Sequence, residues 1–118
     1  MTRRELAEAM IRGIETPGVL ESDCDYVSKD KKKGLCRTCA LGAALIGKCN
    51  GDSDEAAAMW RAAHEVRTED GPIAAMADML SISDSLAEEV ELKHCDGETI
   101  RQIAAWLKEG ENEETDRH

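Results

Sequence analysis

Residues 36 to 47, Cys-Arg-Thr-Cys-Ala-Leu-Gly-Ala-Ala-Leu-Ile-Gly, form a long run with a single charge, Arg37. Its side chains are small or aliphatic on every side. A helix that is apolar all round belongs inside a domain, not on its surface. The run predicts a short enclosed helix from Cys39 to about Lys48, with the other helices packed around it. Ala40, Gly42, Ala43, Ala44 and Gly47 have so little bulk that neighbouring backbones can approach closely.

The rest of the chain must supply that enclosure without large aromatic residues. Phe is absent, and the aromatics are Trp60, Trp106 and Tyr26. Ala, Leu, Ile and Met therefore fill the core, a palette that favours helices over sheets. The 118 residues suit one domain.

Helical spacing and caps mark the elements. Thr2-Arg3-Arg4-Glu5 reads as a capping box. Leu6, Ala9, Met10 and Ile14 share one face after it, with Arg3, Glu8 and Arg12 left to water. Thr16-Pro17-Gly18 ends this helix. Residues 20–27 alternate weakly, and a charged turn, Lys29 to Gly34, precedes Leu35-Cys36. A two-stranded hairpin near residues 20–37 follows from this pattern, and it needs helices to lie against. After the enclosed helix, Asn50-Gly51-Asp52 breaks the chain. Asp52 or Ser53 caps a helix to about Thr68, with Ala56, Met59, Trp60 and Ala63 inward. Pro72 opens the next helix, with Ile73, Met76, Ala77 and Leu80 as its stripe. Ser83 caps a fifth, and Ile82 is placed to staple onto it. The last helix carries Ile100, Ile103, Ala104 and Leu107 and ends at Gly110. The expected fold is mainly α: a compact bundle of about six helices around the buried Cys39–Gly47 helix, plus the small hairpin. Residues 1–110 form one globular helical domain, and 111–118 form a disordered acidic tail.

Two stretches carry a resemblance: Cys39-Ala40-Leu41-Gly42-Ala43, and His94-Cys95-Asp96-Gly97 followed by Ile103-Ala104-Ala105-Trp106-Leu107. They resemble a loose group of small bacterial and phage proteins with a polar hairpin, a Cys-x-Leu-Gly-Ala helix and a late Asp-Gly turn before an Ile-Ala-x-x-Leu-type helix. The resemblance implies the same architecture and lends no activity. Members often carry a second Cys beside the first; here Thr38 stands in that place.

The formal net charge is −10 and the pI about 4.7. Such a chain is repelled by nucleic acid and anionic membrane at long range and attracted to basic surfaces. No apolar run approaches the ~20 residues of a membrane span, and no secretory signal is visible. A cytoplasmic location is expected, with the five cysteines reduced.

Cys36 and Cys39 make a C-x-x-C at a predicted helix start. Such a position, with Arg37 beside it, lowers a thiol's pKa. C-x-x-C is also half of a tetrahedral zinc site. Cys49 is excluded as a partner, because it lies about 15 Å along the helix axis from Cys39 at ~1.5 Å per residue. The surviving zinc ligands are Cys24, Cys36, Cys39 and Cys95, with His94 as a substitute. Against this stands the simpler reading in which Cys39 packs as a small hydrophobe. Zinc apart, no cofactor is implied.

Lys29, Lys31, Lys32, Lys33 and Arg37 form a basic island that could meet a polyanion, although a solvated turn is the stronger reading. The last two helices are too acidic for a DNA-reading pair. No nucleophile has a base and an acid at local spacing. The reading that follows is a small acidic, non-catalytic accessory or regulatory protein that binds a macromolecular partner, with a phage-type inhibitor as its sharper form. The alternatives are a zinc-binding or thiol-reactive protein built on Cys36 and Cys39, and a small enzyme whose site the fold assembles.

Overall fold

The computed structural model describes residues 1–22, 27–30, 35–66 and 71–114. The elements run α1 (Arg3–Ile14), β1 (Val19–Glu21), β2 (Val27–Asp30), β3 (Leu35–Thr38), α2 (Ala40–Lys48), α3 (Ser53–Val66), α4 (Gly71–Leu80), α5 (Asp84–Cys95) and α6 (Ile100–Glu114). The fold is mainly helical, with a small sheet, as the sequence implies.

The uncharged run forms α2, and every residue from Ala40 to Gly47 is buried. The closest packing is against α1. Ala9 and Gly13 on α1 meet Ala43 and Gly47 on α2 reciprocally. A Cβ on Gly13 would lie 1.9 Å from the Ala43 carbonyl oxygen, and one on Gly47 would lie 1.8 Å from that of Ala9. Backbone touches backbone at both ends of the crossing, so neither glycine can carry a side chain without parting the helices. Arg12, exposed as expected, also reaches from α1 and donates from Nη1 to the Gly47 carbonyl at 3.0 Å. That carbonyl already accepts from Asn50 N at 3.0 Å, so Arg12 adds a second donor at the C-terminus of α2, where a cation is also favoured by the helix dipole.

The caps fall where the sequence places them. Thr2 Oγ1 accepts from Glu5 N at 3.1 Å, and Glu5 Oε1 accepts from Thr2 N at 2.9 Å. That second bond, made by the Thr2 backbone, holds the Glu5 carboxyl below its ordinary value. Asp52 Oδ1 caps α3 at Glu55 N, and Ser83 Oγ caps α5 at Leu86 N. Helix α6 has a capping box as well. Thr99 Oγ1 accepts from Gln102 N at 3.1 Å, and Gln102 Oε1 accepts from Thr99 N at 2.8 Å. This Thr-x-x-Gln signal sits in the sequence and fixes the helix start that periodicity alone leaves loose.

The inward stripes hold. Leu6, Met10, Leu41, Leu45, Ile46, Met76, Leu80, Val90, Ile100, Ile103 and Leu107 are fully buried. Trp60 and Met59 on α3 are only half-buried and pack at the core's margin.

Two features differ from expectation. The hairpin exists as β2 and β3, antiparallel with Asp30 opposite Leu35, but a third strand joins it. β1 pairs parallel to β3, Val19 opposite Cys36, giving the order β1-β3-β2. Of the alternation read over 20–27, Leu20 and Glu21 belong to β1 and Val27 to β2, on opposite sides of β3, and residues 23–26 lie outside the described set. Second, α6 runs on to Glu114. Gly110 keeps a right-handed helical backbone, and a glycine stops a helix efficiently only where it turns left-handed. The proposed boundary at 110 thus falls inside a helix, and residues 115–118 lie outside the described set.

Candidate functional site

The thiols at the start of α2 are the first candidates. β3 runs directly into α2 with one residue between them, Cys39, which is the N-cap in extended conformation (φ −84°, ψ −176°) and makes no side-chain capping bond. Strand alternation turns Cys36 and Thr38 inward and Arg37 outward, so Cys36 is 1 % exposed, and Cys39, where the chain turns into α2, is 2 % exposed. Cys39 Sγ lies 4.0 Å from Glu91 Oε2 of α5.

Burial, and then the Glu91 charge, push the Cys39 thiol up to about 12, outweighing the amides at the helix start that favour thiolate. This reverses the activation that the sequence position implies. The helix-end effect is real, but it acts on a group that has lost its water and faces a carboxylate. Cys39 is a packed thiol, and its burial and the Glu91 charge disfavour the thiolate at neutral pH.

The late turn supplies the other proposed ligands. His94 and Cys95 are consecutive on α5, so they point in different directions. His94 is 1 % exposed and Cys95 faces solvent. His94 Nε2 lies 2.9 Å from Glu21 Oε2 on β1, and the same oxygen accepts from Ile100 N, the first residue of α6, at 3.1 Å. The Glu21 carboxylate thus joins one strand and two helices. Among the described residues, no three His, Cys, Asp or Glu side chains gather as a metal site requires. Cys36, Cys39 and Cys95 do not converge, and Cys24 lies outside the described residues. Cys49, at the far end of α2, donates to Met59 Sδ at 3.6 Å, well away from the other end of the helix.

The basic island is only partly visible. Arg37 is exposed and stands opposite Ser28, whereas Lys29 stands opposite Cys36. Lys31, Lys32 and Lys33 lie outside the described residues, as does the His64 side chain.

Two arrangements were not foreseen. Arg3 and Lys93 each sit 4.5 Å from the centroid of the Trp106 ring. The cation–π contacts tie α1 and α5 to α6 around a half-buried indole. A shallow cleft of about 430 Å³ lies between α1 and α6, lined by Glu8, Ile11, Arg12, Glu15 and Lys108. It is open to water and its charges are already engaged in part, Glu15 with Arg101 at 3.1 Å and Arg12 with Gly47. These partners are remote in sequence, and no local pattern announces them.

No helix among the described residues is long and apolar enough to cross a membrane. The chain matches no protein-family model, no curated protein and no solved structure.

Proposed function

We propose that this protein is a small acidic accessory or regulatory protein that acts, without catalysis, by binding a macromolecular partner through its surface. One observation carries the reading: the carboxylates stand outward on several helices while the thiols of the C-x-x-C are sealed inside. Glu5, Glu8, Glu15, Asp84, Glu88, Glu89 and Glu109 are all exposed, on a chain of net charge −10. A field of that sign recruits basic surfaces and speeds encounter with them. The partner class is a protein with a basic patch, such as a nucleic-acid groove. The resemblance to phage and bacterial proteins makes an inhibitor of a host nucleic-acid-binding or defence protein the sharper form of the proposal, in the cytoplasm.

The test is a pull-down with the tagged full chain from a cell extract at about 50 mM salt, followed by washing at rising salt. One protein partner, released as screening shortens the electrostatic range to about 3 Å near 1 M salt, is the expected result. Recovery of no partner at low salt overturns the reading. The zinc alternative has its own measurement. Metal analysis of untagged protein that finds about one equivalent of zinc would favour a site completed by Cys24.

A further inference from the structure

We propose that Cys49 and Met59 form a binding site for a soft monovalent metal ion, copper(I). Cys49 is the C-cap of α2, and Met59 lies in the middle of α3. Asn50 and Gly51, both left-handed (φ 57° and 86°), turn the chain between the two helices. The Cys49 thiol donates to the Met59 thioether at 3.6 Å, so the two sulfurs already face each other across that turn. Both side chains are half-buried at the margin of the core, packed on one side and open to water on the other.

Soft thiolate and thioether donors select copper(I). That ion is held by as few as two of them, whereas a structural zinc takes four ligands. A metal–sulfur bond of about 2.3 Å lets one ion span sulfurs up to about 4.6 Å apart, so this pair has to part by about 1 Å at most. Charge favours the ion as well. Burial, and then the carboxylates of Glu55 and Asp52, push the Cys49 thiol up, outweighing Lys48. A bare thiolate is therefore disfavoured there, but a copper(I) thiolate is neutral, and the same carboxylates attract the incoming cation. Asp52 and Glu55 are both exposed, and Glu55 stands one helical turn before Met59 on α3. On binding, the Cys49 S–H bond breaks and its proton passes to water. Each sulfur then gives an electron pair to the ion, whose oxidation state does not change. The site shares no residue with the acidic surface proposed above or with the zinc alternative.

Titration of the reduced full chain, without oxygen, into the coloured copper(I)–bicinchoninate complex reads the transfer of copper to the protein. Cys36 and Cys39 are buried, so Cys24→Ser with Cys95→Ser serves as the reference chain, in which competing thiols are removed. It should take about one equivalent of copper(I), and a large excess of zinc should not displace it. Adding Cys49→Ser or Met59→Leu should each weaken binding by at least about tenfold, since even the outer partners of a metal ligand cost that much. A second measurement needs no substitution at the site. In wild-type protein labelled at the methionine methyl groups, the Met59 resonance should shift on adding copper(I), while those of the fully buried Met10 and Met76 stay in place. A reference chain that takes no copper overturns the proposal, as does zinc displacing the ion. Met59→Leu binding as tightly as the reference, or an unmoved Met59 resonance, also overturns it, because the thioether would then be packing alone.

Discussion

Gly13 and Gly47 are the positions where one added methyl group would reorganise the core. Each faces a carbonyl across the α1–α2 crossing at under 2 Å from where a Cβ would lie. Gly13→Ala or Gly47→Ala should each cost about 1–3 kcal/mol or more, as overpacking does, measured by urea denaturation. Gly110→Ala makes the contrast. Its Cβ would meet the Arg3 guanidinium, a side chain rather than backbone, so the cost is that of shifting Arg3 from the Trp106 ring and the Leu107 carbonyl. Set against a gain in helix propensity of up to about 1 kcal/mol, that cost should be smaller than at Gly13 or Gly47. Cys39 gives a pH prediction. Its thiol is raised from 9.0 to about 12 in the folded chain, so the folded state keeps a proton that the unfolded state releases. That contribution to stability is complete below pH 9 and is lost as pH rises toward 12, by about 1.4 kcal/mol per pH unit. Unfolding followed from pH 8.5 to 10.5 should show a steeper decline in the wild type than in Cys39→Ala.

At the scale of elements, the helices were legible because their information is local. A 3.6-residue stripe and a capping residue lie within a few positions of each other, and Thr2, Asp52 and Ser83 all cap as their sequences imply. The parallel strand β1 was not legible. Its pairing needs Gly18 O to accept from Cys36 N and Thr38 O to accept from Ser22 N, bonds between segments separated by the whole hairpin. The clasp made by Glu21 is of the same kind. Glu21→Ala removes the acceptor that His94 and the Ile100 amide both use, at about 1–3 kcal/mol. Hydrogen exchange at the Ile100 amide should accelerate in that variant. An unchanged rate would show that the Glu21 bond does not hold the start of α6.

At the scale of the molecule, charge and packing oppose each other. A chain of net charge −10 repels itself when compact, most strongly at low salt, where the Debye length is about 30 Å at 0.01 M. Raising salt to 0.15 M should increase the melting temperature by a few degrees, roughly 1 kcal/mol for a domain of this size. The Trp106 contacts with Arg3 and Lys93 run against this trend, since screening weakens them. A smaller gain in Trp106→Leu would contradict that assignment, and a larger gain would bear it out. The acidic surface is legible from composition. Its arrangement, with Leu92 among carboxylates on α5 and Leu20 beside Arg37 on the sheet, is not, because exposure depends on what packs against each face.

The sequence by itself determined that α2 is interior, that helices enclose it, and where most of them begin. Those properties follow from side-chain polarity at fixed local spacing, which no distant segment can undo without burying charge. The state of the C-x-x-C was decided only by the tertiary structure. A helix start lowers a thiol's pKa when water is present, but burial and Glu91 from α5 reverse the sign at Cys39. The same holds for the late turn, where His94 is drawn inward to Glu21 while its neighbour Cys95 is left in solvent. Desolvation and charge depend on which segments meet, and that is fixed by the packing of the whole chain rather than by neighbours in sequence.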